Sequence, residues 1–454
     1  MEFNKLNTIY FLGIGGIGMS ALARFFKSKG RNVSGYDKTP SQLTDELLKE
    51  GMIIHFEENI SLLPQNIDLV VYTPAIPENH NEYQWFIEKK IPLMKRSEVL
   101  GIISDHFNTI AVAGTHGKTT TSTLTAHLLK QSALDCTAFL GGIAKNYQTN
   151  LLLSDKSNLL VAEADEFDRS FLHLHPQTAV ITSADADHLD IYTNKSQLQQ
   201  AFVQFASQIK SNGNLIIKKG VNLDLKKENN YSLYRYSLES GADFFPQNVQ
   251  IKNGLYTFDF VNPNGIMHDM MLGLPGLFNV ENSIAALAAA YINGVNENEL
   301  RTGLGSFLGV RRRFDFRIKK SNIVYIDDYA HHPEELKACI TSARHLFPGK
   351  KITGIFQPHL YTRTRDFADE FALSLDLLDE IILLPIYPAR ELPIKGIDSE
   401  MLLLKMKNPN KMLVNKENLI DKLIENKELE VLLTLGAGDI DRLVPGIEIA
   451  LKDR

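Results

Sequence analysis

The sequence has few cysteines, no long apolar run and no block of basic residues. Only Cys136 and Cys339 occur in 454 residues, so neither a disulfide framework nor a zinc site with Cys-x-x-Cys spacing is indicated. The longest apolar run, residues 284–292, is too short to cross a bilayer, and no signal-peptide pattern precedes the first predicted strand. These absences predict a cytoplasmic protein with reduced thiols and no membrane partner.

The charge balance argues against a nucleic-acid partner. The formal net charge is -6, and the arginine clusters at residues 311–313 and 363–365 are short. Such clusters suit a phosphorylated or carboxylated small molecule better than a polymer. A length of 454 residues with 44% hydrophobic residues predicts a globular protein of about three domains.

A glycine turn between a predicted strand and a predicted helix is the strongest local signal. Residues 109–112 read as a buried strand, residues 122–130 as a helix, and Gly114-Thr-His-Gly-Lys-Thr-Thr lies between them. Backbone N–H groups at such a helix start bind phosphate, Lys118 adds a positive charge, and the Thr119 hydroxyl suits Mg²⁺. Val112 occupies the first glycine position of the strict G-x4-G-K-[ST] pattern, so this is a shortened variant. The alternative, a glycine turn with a surface lysine, leaves the consecutive threonines unexplained.

Acidic residues follow two further predicted strands. The strand at residues 159–162 leads to Glu163, and the strand at 179–182 leads to the segment 185–188. Parallel sheets bind ligands at this edge, and a strand-end carboxylate helps to hold magnesium in Walker-type ATPases. A salt-bridged Glu163 is the alternative. His188 taken alone is more often an ordinary hydrogen-bonded residue, because magnesium prefers oxygen ligands.

The two ends of the chain both predict mononucleotide-type folds. At the start, Gly13-Ile-Gly-Gly-Ile-Gly18 follows the strand 8–12, and Asp37 follows the strand 33–36. This fingerprint predicts a diphosphate over a helix N-terminus without saying which nucleotide carries it. Near the other end, the strands 323–326 and 352–356 precede loops rich in histidine, tyrosine and arginine, which could converge on a pocket for a small zwitterion. The alternative to a pocket role for residues 331–332 is that one is a surface histidine and the other caps the following helix.

Eight segments occur in the order seen in the Mur ligases, and the chain resembles that family over nearly its whole length. They are Gly13-Ile-Gly-Gly-Ile-Gly-Met-Ser, Gly114-Thr-His-Gly-Lys-Thr-Thr-Thr, Glu163-Ala-Asp-Glu, Asp187-His188, Asn279-x-x-Asn282, Arg312-Arg-Phe, Asp327-Asp-Tyr-x-His-His-Pro and Gly436-Ala-Gly-Asp439.

The resemblance implies an α/β fold of three domains. A Rossmann-like domain at residues 1–107 would bind a UDP-sugar, and a P-loop ATPase-like α/β domain with a small β-rich addition would occupy residues 108–315. A second Rossmann-like domain at residues 316–454 would bind an amino acid and close over ATP.

The resemblance also implies a role for individual residues. ATP would be bound by Gly114, Thr115, His116, Gly117, Lys118, Thr119, Thr120, Asn279, Asn282, Arg312, Asp327 and Asp328. The UDP-sugar would be bound by Gly13, Gly15, Gly16, Gly18, Met19, Ser20 and Asp37. Magnesium would be held by Thr119, Glu163 and His188. The amino acid would be bound by Tyr329, His359 and Arg363, and the catalytic residues would be Lys118, His188, His331 and Arg313.

The activity implied is the ATP-dependent joining of L-alanine to the carboxylate of UDP-N-acetylmuramate through an acyl phosphate, in peptidoglycan precursor synthesis. Magnesium would be the cofactor, and the protein would be a monomer or a homodimer. Three residues depart from the family pattern: Phe278 replaces a histidine, Ala330 a glycine and Leu360 an arginine. If that arginine binds the alanine carboxylate, Arg363 or Arg365 must do so here.

Three other functions remain as alternatives. A recycling ligase would attach a preformed tripeptide to the same UDP-sugar. A nicotinamide-dependent oxidoreductase would use the first glycine loop and Asp37 but not the phosphate loop. A regulatory nucleotide-binding module would bind ATP without chemistry.

Overall fold

The computed structural model describes residues 3–185, 192, 195–226, 230–252, 254–389 and 391–452. The chain forms two compact units. The first comprises Met1–Gln250, Thr257–Leu272 and Glu281–Leu308, and the second comprises Ile251–Tyr256, Gly273–Val280 and Gly309–Arg454. Within the described ranges, no helix has both the length and the apolar character needed to cross a membrane.

The first unit begins with a five-stranded parallel sheet in the order β3-β2-β1-β4-β5. Its elements are β1 (Thr8–Leu12), α1 (Ile17–Ser28), β2 (Asn32–Tyr36), α2 (Gln42–Lys49), β3 (Ile53–His55), β4 (Leu69–Tyr72), α3 (Asn81–Glu88), β5 (Leu93–Lys95) and α4 (Arg96–Asp105). The register pairs Leu12 with Tyr36, so β1 and β2 end together and present the following glycine loop and Asp37 at one edge.

A seven-stranded sheet follows in the same unit, in the order β12-β11-β10-β6-β9-β7-β8. Its elements are β6 (Asn108–Ala113), α5 (Lys118–Lys130), β7 (Thr137–Ala144), β8 (Thr149–Leu152), β9 (Leu159–Ala164), β10 (Thr178–Ile181), α6 (Lys195–Ser207), β11 (Gly213–Lys218) and β12 (Tyr231–Tyr236). Only the β7–β8 pair is antiparallel. The phosphate-loop strand β6 therefore has a parallel neighbour on each side.

The predicted β-rich addition divides into two parts. Strands β11 and β12 extend the main sheet, whereas β13 (Phe245–Lys252), β14 (Leu255–Asn262) and β15 (Gly265–Leu272) form a separate three-stranded sheet. The side chains of β14 alternate, because Tyr256, Phe258 and Phe260 are buried and the residues between them are not. Two helices, α7 (Leu277–Ile292) and α8 (Glu297–Ser306), complete this part of the chain.

The first two sheets share one hydrophobic core. It runs from residues of β1 and α1 to residues of β9, β10 and β11. The rings of Phe25 on α1 and Phe139 on β7 lie 5.5 Å apart. A polar contact reinforces this packing, since the buried Asn150 of β8 donates to the Ser20 hydroxyl at 2.9 Å and accepts from Arg24 at 2.5 Å.

The second unit is built on a six-stranded sheet in the order β16-β17-β21-β18-β19-β20. Its elements are β16 (Asp315–Lys319), β17 (Val324–Asp328), α9 (Pro333–Leu346), β18 (Ile352–Phe356), α10 (Tyr361–Asp366), α11 (Ala368–Leu375), β19 (Glu380–Leu383), α12 (Ser399–Lys405), β20 (Lys411–Leu413), α13 (Lys416–Glu425), β21 (Val431–Leu435) and α14 (Val444–Leu451). Sequence analysis missed β16, a short antiparallel edge strand in which only Asp315 and Ile318 are buried. The predicted α/β class is confirmed throughout.

Candidate active site

The phosphate loop has the backbone conformation that its glycines predict. Gly114 and Gly117 have φ values of 137° and 81°, in the left-handed region that favours glycine. A Cβ atom on Gly114 would lie 2.1 Å from the Thr182 hydroxyl, and one on Gly117 would lie 2.6 Å from Oδ1 of Asn282. The loop therefore requires glycine at both positions for conformation and for space.

Polar residues after β10 hold the loop in place. The Thr182 hydroxyl donates to the carbonyl of Ala113 at 3.1 Å, and the Ser183 hydroxyl accepts from the backbone N–H of His116 at 2.8 Å. Thr115 is buried, and its hydroxyl lies 2.8 Å from that of Ser183. Helix α5 begins at Lys118 directly after this braced turn, which is the arrangement that binds phosphate at a helix N-terminus.

Lys118 lies among strand-end carboxylates. Its ammonium group donates to the two carboxylate oxygens of the fully buried Glu166 at 2.9 and 2.7 Å, and it lies 4.0 Å from Asp165. Burial alone lowers the pKa of Lys118, but attraction to Glu166, Asp165 and Glu163 raises it above its usual value. The lysine is therefore a fixed positive charge, as a phosphate ligand must be.

Glu163 and Thr119 have the chemistry of magnesium ligands. Glu163 pairs with Val112 in the β6–β9 register, and a Cβ atom on Gly141 of β7 would lie 2.1 Å from its Oε2, so glycine at 141 makes room for the carboxylate. Magnesium binds through one or two protein oxygens together with water and substrate phosphates, so this donor set fits it. No cluster of three His, Cys, Asp or Glu residues suited to a metal occurs among the described residues. The third predicted ligand, His188, lies outside them.

The start of α7 carries the two predicted adenine-site asparagines. Asn279 and Asn282 are three positions apart, so they lie on one face of the helix. The side-chain N–H of Asn279 donates to the Pro275 carbonyl at 2.6 Å, while its buried Oδ1 has no hydrogen-bond partner among the described residues. A buried acceptor in this state is suited to a ligand that donates a hydrogen bond.

The first glycine loop is held by Asp37. The carboxylate of Asp37 accepts from the Gly15 N–H at 2.8 Å, and the N–H groups of Gly13 and Ile14 donate to the Tyr36 carbonyl at 2.8 and 3.0 Å. Gly16 is the N-cap of α1. The side chains of Met19 and Ser20, predicted to bind the UDP-sugar, are buried in the structure.

In the second unit, the two aspartates at the end of β17 organise the loop before β16. Both Asp328 oxygens accept backbone N–H groups, from Phe314 at 2.6 Å and Ala330 at 2.8 Å. Asp327 accepts from the Thr434 hydroxyl at 2.7 Å and from Arg312 at 3.3 Å. Burial raises the pKa of Asp328 to about 6, although the nearby charge of Arg313 and the two backbone hydrogen bonds each lower it.

The arginines beside these aspartates differ in their contacts. Arg312 also donates to the Gly436 carbonyl at 2.7 Å, so its guanidinium connects the ends of β17 and β21. Both guanidiniums lie over the ring of Tyr329, that of Arg312 at 5.1 Å and that of Arg313 at 4.9 Å from its centroid. Arg312 is in addition anchored by its hydrogen bonds to Asp327 and Gly436.

The two histidine-containing loops of the second unit do meet. The rings of His331 and His359 are 6.1 Å apart, and His359 stacks on Tyr387 at 5.7 Å. Strand β21 lies between β17 and β18, so the two loops do not follow adjacent strands. His332 lies at the N-cap position of α9 and is buried. Arg363 on α10 is buried, and Leu360 before it has a φ of 70°.

Family models match nearly all of the chain. The Mur ligase family catalytic domain matches residues 8–108, the Mur ligase middle domain matches 112–290, and the Mur ligase glutamate ligase domain matches 312–438. The chain is 54% identical, over 100% of its length and 99% of the relative, to the UDP-N-acetylmuramate--L-alanine ligase of Parabacteroides distasonis. It is 49% identical, over the full length of both chains, to the protein of the same name from Flavobacterium johnsoniae.

The chain belongs to the Mur ligase family. Among solved structures, it resembles a UDP-N-acetylmuramate-alanine ligase from Thermotoga maritima with a TM-score of 0.84 and 26% identity, over 98% of this chain and 99% of that one. A murein peptide ligase from Psychrobacter arcticus shares the fold with a TM-score of 0.74 at 21% identity, over 99% of both chains.

Several residues that contact the predicted site residues of this Mur ligase were not themselves predicted. Glu166 binds Lys118, Thr182 and Ser183 brace the loop, and Tyr387 stacks on His359. Two polar residues in a row, at positions 182 and 183 at the end of a predicted strand, were a signal in the sequence for this contact. Tyr387 had no such signal, because its contact with His359 depends on the fold.

Proposed function

We propose that the protein is an ATP-dependent ligase that joins L-alanine to the carboxylate of UDP-N-acetylmuramate in peptidoglycan precursor synthesis. The observation that carries the proposal is the phosphate loop, with Lys118 held as a fixed cation beside the strand-end acids. Relatives named UDP-N-acetylmuramate--L-alanine ligase, 54% and 49% identical over the full chain, support this choice of substrates.

The first step is phosphoryl transfer. The muramoyl carboxylate attacks the γ-phosphate of ATP, ADP leaves, and an acyl phosphate forms. Lys118 and Arg313 neutralise charge that builds up on the phosphate oxygens, and the loop N–H groups orient them. Thr119, Glu163 and His188 would hold Mg²⁺, which supplies further charge neutralisation on the phosphates.

The second step is attack by the amino acid. The neutral α-amino group adds to the acyl carbon, and the tetrahedral intermediate expels phosphate to leave an amide. A base must take a proton, since free amines are mostly protonated near neutral pH. Nδ1 of His331 lies 3.0 Å from the Tyr329 carbonyl, which only accepts, so Nε2 is the basic nitrogen of the neutral ring.

The remaining predicted residues have supporting roles in this proposal. Tyr329, His359 and Arg363 would bind the amino acid. The two asparagines at the start of α7 would bind the adenine, and Asp327, Asp328 and Arg312 would complete the ATP site. The glycine loop at residues 13–18 would bind the diphosphate of the UDP-sugar.

The wider setting is also part of the proposal. We place domain borders after residues 107 and 315, and the site of action in the cytoplasm, where ATP and UDP-sugars are made. The partners are small molecules and not nucleic acid or membrane, and the protein acts as a monomer or a homodimer.

The test is phosphate release from magnesium-ATP in the presence of UDP-N-acetylmuramate, with L-alanine, glycine, L-serine or the recycling tripeptide as acceptor. We expect release that requires the sugar and is strongest with L-alanine. Stimulation by the tripeptide alone would assign the recycling reaction. Binding of NAD without ATP turnover would indicate an oxidoreductase, and ATP binding without turnover by any acceptor would indicate a regulatory module.

A further inference from the structure

The tight turn after β9 fixes the backbone of Glu166. Asp168 and Arg169 have φ values of 51° and 54°, in the left-handed region that is uncommon for residues other than glycine. Two such residues in succession are strained, and strain of this kind persists where surrounding contacts hold it in place. The turn brings the N–H of Arg169 back to the carbonyl of Glu166 at 3.0 Å. The residues that follow Glu166 therefore determine its conformation.

Two side chains from outside the turn contact it. The fully buried Tyr192 donates its hydroxyl to the same Glu166 carbonyl at 2.7 Å, and the guanidinium of Arg169 lies 5.7 Å from the centre of the Tyr192 ring. Lys95 lies 2.9 Å from the carboxylate of Asp168, but these two side chains are 38% and 34% exposed, and ion pairs at such exposure contribute little. Tyr192 is therefore the contact that holds the turn more strongly.

The turn places a buried carboxylate beside the ammonium group of Lys118. Glu166 is fully buried, and its two oxygens accept from Lys118 at 2.9 and 2.7 Å. An ammonium group carries three N–H donors that rotate together about one bond. Two acceptors on one fixed carboxylate stop this rotation. The direction of the remaining N–H group of Lys118 is therefore set by Glu166.

We propose that Glu166 and Tyr192 position Lys118 for phosphoryl transfer. Glu166 orients the ammonium group, and Tyr192 holds Glu166 through its backbone carbonyl. Neither residue contacts the reacting atoms, so both are positioning residues. The inference rests on the proposed function, in which Lys118 neutralises charge on the transferred phosphate. Such a donor must already be aligned when the transition state forms, because a misplacement of about 1 Å can cost about 100-fold in rate.

A purely structural role is the alternative for these two residues. Glu166 would then only compensate the charge of the buried lysine, and Tyr192 would only fill space and satisfy a buried carbonyl. Loss of the Tyr192 hydroxyl would lower the melting temperature and leave the rate of phosphoryl transfer unchanged. The two roles therefore differ in the rate of one variant that keeps every charge of the site.

The experiment measures the single-turnover rate of ADP formation by the full-length protein, and its dependence on ATP concentration, with UDP-N-acetylmuramate and L-alanine present. For Glu166→Gln we expect a maximal rate about 10- to 100-fold lower, with half-saturation by ATP changed less than about threefold, because the alignment matters in the transition state. Glu166→Asp keeps the carboxylate on a shorter side chain and should recover part of the rate.

Tyr192→Phe removes the hydroxyl and keeps the ring beside Arg169. It should lower the maximal rate about 3- to 10-fold, and have little further effect in the Glu166→Gln background, because both changes act through one contact. Tyr147→Phe is the matched control, since its hydroxyl lies 2.9 Å from Nδ1 of His127 in the last turn of α5. This control should lower the melting temperature and leave the rate unchanged.

Thermal unfolding of each variant separates positioning from stability. A normal rate in Tyr192→Phe at a lowered melting temperature would establish the structural role and overturn the proposal. Equal rate losses from Tyr192→Phe in the wild-type and Glu166→Gln backgrounds would also overturn it, because Tyr192 would then act by another route. If the wild type forms ADP and the variants form it equally fast, only this inference is wrong. If the wild type forms no ADP with any acceptor, the proposed function is wrong together with it.

Discussion

At the scale of single residues, the most important contact is that of Lys118, whose ammonium group is held in place by the buried carboxylate of Glu166. Glu166 is fully buried and binds both the lysine and, through its backbone carbonyl, the Tyr192 hydroxyl at 2.7 Å. Removing one member of such a pair leaves an uncompensated buried charge. Rate and stability must therefore be measured separately at this position.

We predict that Lys118→Ala lowers the rate of ADP formation by about 100-fold or more, because a contact to the transferred phosphate is lost. The variant should also melt at a lower temperature, since Glu166 loses its partner. Lys118→Ala combined with Glu166→Gln should recover the melting temperature without recovering the rate.

Lys130→Ala is the matched control, at the other end of α5 and paired with Asp135. It should leave the rate unchanged. Near-normal turnover in the Lys118→Ala, Glu166→Gln double variant would refute the assigned ATP site.

Asp328 gives a second prediction at this scale, on pH dependence. Its pKa is about 6 in the folded protein against an ordinary value of 3.8, so between these values the folded state holds a proton that the unfolded state has lost. The protonated Asp328 side chain therefore stabilises the folded state. This stabilisation is complete below pH 3.8 and is lost as the pH rises through 6. Over that range it amounts to about 3 kcal/mol.

Asp328→Asn should remove this pH dependence and lower stability at acid pH, because an amide NH2 group, which only donates, replaces one of the two carboxylate oxygens that accept backbone N–H groups. Urea midpoints measured from pH 4 to pH 7 report the change. Asp421→Asn, at an exposed position on α13, should keep the wild-type profile. An Asp328→Asn profile parallel to that of the wild type would show that Asp328 does not titrate in this range.

At the scale of elements, the phosphate loop depends on both the conformation and the surroundings of Gly117. We predict that Gly117→Ala lowers the affinity for ATP at least about tenfold. It should also lower the free energy of unfolding by about 1–2 kcal/mol, because alanine disfavours the left-handed backbone conformation of residue 117. Gly349→Ala is a matched control, because Gly349 has a φ of 79° with nothing within 4 Å of its Cβ position.

Gly349→Ala should lower the free energy of unfolding through its left-handed backbone conformation alone and leave the affinity for ATP unchanged. Nucleotide titrations and thermal unfolding of both variants separate the two effects. Normal ATP affinity in Gly117→Ala would mean that crowding against Asn282 does not shape the loop.

The contact between α1 and β8 gives the second prediction at this scale. Asn150 is buried and donates to the Ile17 carbonyl at 2.5 Å as well as to Ser20. Asn150→Ala should cost about 2–3 kcal/mol, because the buried Arg24 and the Ile17 carbonyl lose a partner. Chemical unfolding measures this loss.

Asn146→Ala removes an amide that makes two hydrogen bonds, to the Ser306 carbonyl and from the Leu308 N–H, both at 2.8 Å, one fewer than Asn150 and in a more exposed place. It should cost less than Asn150→Ala. Equal losses in the two variants would show that burial at the α1–β8 contact adds nothing.

At the scale of the whole molecule, the local sequence predicted where strands and helices occur better than it predicted which strands lie next to each other. Strands β1 and β18 have the predicted bounds, because each is an apolar run followed by a glycine or a polar residue. Edge strand β16 was missed, since three of its five residues are charged, and two of these, Arg317 and Lys319, are at least partly exposed. The phosphate loop was predicted from its glycines and lysine.

The contacts that could not be predicted from the sequence depend on the order of strands in each sheet. The contacts of the loop with Thr182 and Ser183 exist because β10 lies beside β6, and those of Arg312 with Gly436 because β21 lies beside β17. These strands are far apart in the chain, so no local pattern encodes their adjacency. His188, one predicted magnesium ligand, lies outside the described residues.

The central claim is that the substrate carboxylate becomes an acyl phosphate before the amide forms. The most direct measurement uses UDP-N-acetylmuramate labelled with ¹⁸O in its carboxylate, with magnesium-ATP and L-alanine, followed by mass spectrometry of the released phosphate. An acyl-phosphate intermediate places one ¹⁸O atom in each phosphate released with product. Phosphate without label, at normal product yield, would contradict it.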